Sequence, residues 1–126
     1  MKMWSKLIKT KVKTSNLEKS FLFLLKMWKL NYKIQYKIDT KYYDFYLPDY
    51  NLVIEVMGDY FHANPSRYKT LNEMQQKNIK NDVYKKKLAI DNGYEYIDFW
   101  ENKINNNPMS IKTKLFKKIQ LITEGK

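Results

Sequence analysis

The sequence has no cysteine. Disulfides and thiolate-ligated zinc are therefore excluded, and nothing marks an oxidising compartment. Glycine and proline occur three times each, alanine twice and arginine once, at Arg67. Set beside abundant lysine, asparagine, isoleucine and tyrosine, that scarcity is what an AT-rich coding sequence produces. Long apolar runs are missing too. The start, MKMWSKLIKTKVKT, has no apolar signal-peptide region, and the longest run, Phe21 to Leu25, is far too short to span a bilayer. A soluble cytoplasmic protein with no membrane partner is the expectation.

Acidic residues are the remaining shortage. Lys+Arg number 24 against 13 Asp+Glu, a formal net charge of +11 and a pI near 9.6. AT-rich coding would enrich glutamate as well as lysine, so the excess needs a physical cause. It favours a polyanionic partner, nucleic acid first and an anionic membrane surface second. The 126 residues, 44% hydrophobic, fill one core with a radius of gyration of about 14 Å, so 1–126 reads as a single domain with no internal repeat.

The stretch YYDFYLPDYNLVIEVMGDYFH, Tyr42 to His62, organises the rest. Two β-rich runs, Tyr42 to Leu47 and Leu52 to Val56, flank Pro48-Asp49-Tyr50-Asn51, a turn-forming cluster, and read as a hairpin. Asp44 lies among aromatics in the first run and Glu55 inside Leu-Val-Ile-Glu-Val in the second. Two carboxylates on adjacent buried strands are costly unless a cation compensates them. Asp49 follows a turn proline and is explained by the turn, whereas Asp44 has no turn or cap to serve. His62 is the only histidine. A lone histidine is most often a surface or satisfied core residue, but this one follows Gly58 and the acid-bearing strand, and an unperturbed pKa of about 6.5 suits a general base.

Around the hairpin the periodicities are clear. Residues 1–14 carry five lysines around Met3, Trp4, Leu7 and Ile8 and read as a basic arm. Ser15-x-x-Glu18 is a capping box ahead of an amphipathic helix running to about Leu30, so Glu18 has a capping role available. Lys33, Gln35 and Lys37 alternate with Ile34, Tyr36 and Ile38, a strand with one solvated face. After a loop at Asn64-Pro65-Ser66, the positions Leu71, Met74, Gln75, Asn78, Ile79, Asp82, Val83, Lys86, Ala89 and Ile90 mark one face of a long helix ended by Gly93. Lys77, Lys80, Lys85, Lys86 and Lys87 form its basic flank, mostly solvated, with one or two able to reach phosphate. Tyr94 to Trp100 is a strand, Asn105 to Pro108 a loop, and Ser110 caps a last helix, Ile111 to Ile122. The order αβββαβα fits an α/β fold, a mixed central β-sheet flanked by helices with the site at one end.

An acid on one strand followed eleven residues later by a second acid resembles the PD-(D/E)xK nucleases, although Met57 stands where that pattern has lysine. The continuation Gly58-Asp59-Tyr60-Phe61-His62 resembles the very-short-patch repair endonucleases and the related EDxHD homing endonucleases. So do the Glu18 helix, the Asn78 to Asp82 step and Asn92-Gly93 through Trp100-Glu101, together covering residues 15–104. The absent cysteines depart from the repair enzymes, whose structural zinc would have to be replaced by packing.

The resemblance implies a restriction-endonuclease-like core that hydrolyses double-stranded DNA with Mg²⁺, which Mn²⁺ would replace. It places the metal on Asp44, Glu55 and the Val56 carbonyl, makes His62 the general base, and has Glu18 and Asp82 hold waters at the metal. Tyr60 and Phe61 would wedge between base pairs, and Asn78, Lys77, Lys80 and Lys86 would contact DNA. Lys86 could also stand in for the missing lysine. A phage or mobile-element homing enzyme, with a homodimer possible, is the reading. The rivals are a mismatch nickase, an inactive DNA-binding module and an RNA-directed protein.

Overall fold

The computed structural model describes residues 15–125, so the expected basic arm, 1–14, lies outside the described residues. Helix α1 (Asn16–Met27) starts where Ser15 caps it, the Oγ accepting the Glu18 amide at 3.1 Å. It ends three residues before Leu30, with Lys29 in a left-handed conformation, φ 59°. Strands β1 (Lys33–Ile38), β2 (Lys41–Leu47) and β3 (Leu52–Met57) form an antiparallel meander, with a 3₁₀ turn at Pro48–Tyr50 and left-handed Asn51 reversing the chain as its residues dictate. Helix α2 (Glu73–Asp91) crosses over to β4 (Glu95–Trp100), which pairs parallel with β3 and closes a mixed sheet in the order β1-β2-β3-β4. Gly93, φ 88°, supplies the helix exit expected of it.

A short helix, α3 (Glu101–Asn106), precedes α4 (Pro108–Glu124), so the order is αβββαβαα. The span read as a loop is helical up to Asn106, and the last helix starts earlier than Ser110 because Asn107 caps it and Pro108 sits in its first turn, where no amide donor is missed. Phe116 of this helix is 36% exposed and meets the Trp28 ring edge to face at 6.0 Å.

The core lies on both sides of the sheet. One side joins Phe21, Leu24 and Leu25 of α1 and Ile111, Leu115 and Ile119 of α4 to Phe45, Leu47, Leu52, Ile54 and Phe99. The other is smaller: Tyr43, Val53 and Tyr96 meet Ala89 of α2, with Tyr36, Tyr46 and Tyr94 packed at its rim. Tyr43 and Phe45, two residues apart on β2, thus belong to opposite layers. The simple alternation expected of β1 and β2 breaks at Gln35, φ 49°, which lies between the paired residues Ile34↔Phe45 and Tyr36↔Tyr43 and therefore opposite Asp44. A side-chain period of two cannot survive a residue in that conformation, and Ile34 is left 52% exposed. Among the described residues no helix is long and apolar enough to cross a membrane.

Candidate active site

The break in alternation sits where β2 and β3 part. Their ladder stops at Phe45↔Ile54, and beyond it side chains take over the backbone bonds. Asp44 Oδ2 accepts the Val56 amide at 2.8 Å, and Glu55 Oε1 accepts the Asp44 amide at 2.9 Å. Each acid therefore holds the strand that carries the other, which fixes both carboxyls without a metal. The Val56 carbonyl, on the same strand edge as its amide, faces the gap so opened.

Glu18 reaches this gap from the first turn of α1. Its carboxyl stands within reach of both the Asp44 carboxyl and the Ser15 backbone, so its place in the first turn does not take it away from the other acids. Burial pushes the Glu18 pKa up. Burial first, and then the neighbouring Glu18, push Asp44 up to about 7. Burial and the Asp44 charge push Glu55 up to about 7 as well. Moving a carboxyl from about 4 to about 7 corresponds to roughly 4 kcal/mol of disfavoured ionisation, the signature of a site short of positive charge.

Part of that charge comes from Lys85. Its Nζ lies 2.6 Å from Glu55 Oε2, with side-chain exposures of 13% and 6%. Sequence reasoning put Lys85 on the solvated flank and Lys86 near the site. The structure reverses them: Lys86 points to the Tyr96 ring, 5.7 Å away, and toward a separate furrow with Lys114 and Lys118. The reason is rotational. The inward line of α2 is Gln75, Asn78, Asp82, Lys85, Ala89, spaced three and four apart, whereas Val83 and Ile90, expected inside, are 64% and 52% exposed.

His62 lies in the turn after β3, where its amide donates to the Gly58 carbonyl at 3.0 Å. Its Nδ1 is 2.6 Å from Asp82 Oδ2. Burial lowers the His62 pKa, but the Asp82 bond and charge, with Glu55 and Asp44 behind them, outweigh it and leave the pKa raised. Asp82 is therefore joined to the histidine by a direct bond, beyond the water-holding role expected of it. With Asp82 ionised the bond requires a proton on Nδ1, which leaves the Nε2 lone pair for chemistry.

The turn itself is braced by polar groups that sequence reasoning did not single out. Buried Gln75 donates to the Tyr60 carbonyl at 2.6 Å, and buried Asn64 donates to Asp59 Oδ1 at 3.0 Å. The Asp59 amide reaches Glu101 Oε1 at 3.0 Å. Hydrogen bonds thus brace this turn, alongside buried Ala63 and the contact of the Tyr60 and Tyr68 rings. Asn78, expected at DNA, donates to the Phe61 carbonyl at 2.9 Å and is one of these braces. Tyr60 and Phe61 lie in the same turn. In the turn both rings are exposed, 46% and 60%, and meet edge to face at 5.4 Å. Lys77 and Lys80 are exposed.

The donor set suits a hard divalent cation. Among the described residues no three Asp, Glu or His side chains are arranged to hold a metal alone. Two cross-braced carboxyls and a backbone carbonyl, with water or substrate oxygens completing the shell, match the way Mg²⁺ binds through one or two carboxylates.

No family model and no curated protein matches the chain. Among solved structures the fold is similar to that of a catalytic domain. That is the "Homing Endonuclease I-Bth0305I Catalytic Domain", with a TM-score of 0.64 and 19% identity over 86% of this chain and 97% of that one. The likeness establishes the fold, a four-stranded mixed sheet flanked by helices, as the sequence led us to expect.

Proposed function

We propose that the protein is a divalent-cation-dependent endonuclease that hydrolyses phosphodiester bonds in double-stranded DNA. One observation carries the proposal: Asp44 and Glu55 are cross-braced on parting strands with raised pKa values, and a His62–Asp82 pair stands beside them. The resemblance of the fold to a homing-endonuclease domain and the charge of +11 agree with it. Within nucleases, the Glu18, Asp44, His62 and Asp82 set favours the EDxHD group.

Asp44, Glu55 and the Val56 carbonyl would hold the cation, Mg²⁺ or its substitute Mn²⁺. When bound, the cation supplies positive charge for the developing oxyanions and for the nucleophile. His62 Nε2 takes a proton from the attacking water while Nδ1–H remains on Asp82 Oδ2, which orients the ring and stabilises its charged form. Water oxygen bonds to phosphorus as the bond from phosphorus to the 3′ oxygen breaks. The exposed Tyr60–Phe61 knob sits one residue from His62, where it can press on bases next to the scissile phosphate. Lys77 and Lys80, with lysines elsewhere on the surface, supply the sequence-independent attraction to phosphates.

The test is incubation of the full chain with supercoiled plasmids carrying candidate target fragments, with Mg²⁺ and with chelator. A discrete, Mg²⁺-dependent cut is expected. Open circles alone indicate a monomer that nicks one strand, and linear product indicates a dimer cutting both, because one chain carries one such site. Salt-sensitive DNA binding without any cleavage would leave the chain a DNA-binding module and refute the enzyme.

A further inference from the structure

Met57, at the position where the strand pattern would place a lysine, is 4% exposed and belongs to the core. An ammonium nevertheless reaches the carboxylates, carried by a different element. Lys85 of α2 is held at both ends. Its Nζ is on Glu55 Oε2 at 2.6 Å and 4.9 Å from the centre of the Tyr43 ring, and its carbonyl accepts the Tyr43 hydroxyl at 2.6 Å. Fixing so long a side chain costs rotamer entropy that a lysine half-turned to solvent would keep. Among the described residues, Lys85 is the only Lys or Arg in an ion pair with the Glu18, Asp44 and Glu55 carboxyls.

The two oxygens of Glu55 are not equivalent. Oε1 is committed to the Asp44 amide, a bond that holds the strands in their parted arrangement. Oε2 is the oxygen free to exchange partners, and Lys85 holds it. A divalent ion and an ammonium on one carboxylate oxygen repel strongly at such range, even in a partly screened site.

We propose that Lys85 is a positioning residue, the resident counter-cation of the carboxylate cluster, which holds Glu55 in place in the cation-free protein and leaves Oε2 when a divalent cation binds. The inference rests on the cation reading of the site. It assigns to a helix the lysine missing from the strand, and it makes cation binding an exchange of one positive group for another.

The experiment uses the full chain labelled with ¹⁵N at lysine. The Lys85 ammonium signal, assigned by its loss in Lys85→Arg, is followed while Mg²⁺ is added. It is expected to be protected from exchange without the ion and to shift or broaden at saturation. In parallel, Mn²⁺ affinity is measured by calorimetry at about pH 8.5, where protons compete weakly for carboxylates. Lys85→Met is expected to bind Mn²⁺ about tenfold or more tightly than the natural chain, and Lys85→Arg, which keeps the charge, to stay within a few-fold. An unmoved Lys85 signal in cation-saturated protein overturns the inference, as does unchanged or weaker affinity in folded Lys85→Met. If Lys85→Met fails to fold, the natural chain's signal decides alone. Absence of any Mg²⁺ or Mn²⁺ binding overturns the cation site itself, and the inference with it.

Discussion

Asp44→Ala abolishes Mg²⁺-dependent DNA cleavage while affinity for duplex DNA stays within a few-fold: that is the largest effect the site predicts. Asp44 does three things at once. It accepts the Val56 amide, interacts with Glu18 and, on the proposed reading, would present an oxygen to the cation. Alanine removes all three and leaves the Val56 amide unpaired, at about 1–3 kcal/mol. It also removes one of two buried, mutually repelling carboxyls, so much of that cost is offset and the fold survives. Asp44→Asn separates the roles, because its amide oxygen still accepts from Val56 and only the charge is lost. Both variants are assayed for plasmid cleavage, and for DNA binding in chelator. Cleavage at the natural rate in either one would take Asp44 out of the chemistry.

The second large effect is on His62. His62→Ala is expected to slow cleavage about 10²- to 10⁴-fold, the usual worth of a positioned general base. The direction with pH follows from the protonation state required. A base works when neutral, and His62 is held above its ordinary pKa, so cleavage by the natural protein should speed up as pH rises through that raised value and then level off. Asp82→Asn removes the charge that favours imidazolium, which moves the rising limb to lower pH and reduces the plateau because the ring is no longer oriented. His62→Ala should lose the limb altogether. Cleavage by His62→Ala at the natural rate from about pH 6 to 9 would contradict the assignment.

Much of this site could be read from sequence because a carboxylate inside an apolar strand has few reasons to be there. Asp44 and Glu55 stood out on that ground, and the turn residues Pro48 and Asn51 fixed the hairpin that pairs their strands. Glu18 was legible in two ways, as part of a cap and as a residue near the acids, and the first turn of α1 does bring it beside Asp44 and Glu55. The face of α2 was misread for a physical reason. Periodicity searches for the apolar stripe, yet where a helix crosses a polar site its inward face is polar. The line Gln75, Asn78, Asp82, Lys85 continues the Asn78–Asp82 step by three residues, and that spacing was the available signal for Lys85. The slip at Gln35 was invisible, because nothing in Lys-Ile-Gln-Tyr marks a residue that adopts a positive φ. Nothing in Asp-Tyr-Phe-His marks the turn that the Gly58 carbonyl and the His62 amide close, which puts the Tyr60 and Phe61 rings on one knob.

The central proposal is that Asp44, Glu55 and the Val56 carbonyl, beside Glu18, would hold a divalent cation in competition with protons, and it predicts a proton-coupled titration. Because burial and their mutual repulsion push the Asp44 and Glu55 carboxyls well up from the ordinary carboxylate range, protons compete with a cation for this pair, and cation binding is coupled to proton release. Calorimetric titration of the full chain with Mn²⁺ near pH 7, in two buffers of different ionisation enthalpy, measures the release directly. The account predicts one ion or two per chain with on the order of one proton released, affinity that strengthens from about pH 5 to 7 and then flattens, and loss of both binding and release in Asp44→Asn. Absence of Mn²⁺ binding, or binding that survives unchanged in Asp44→Asn, would contradict it.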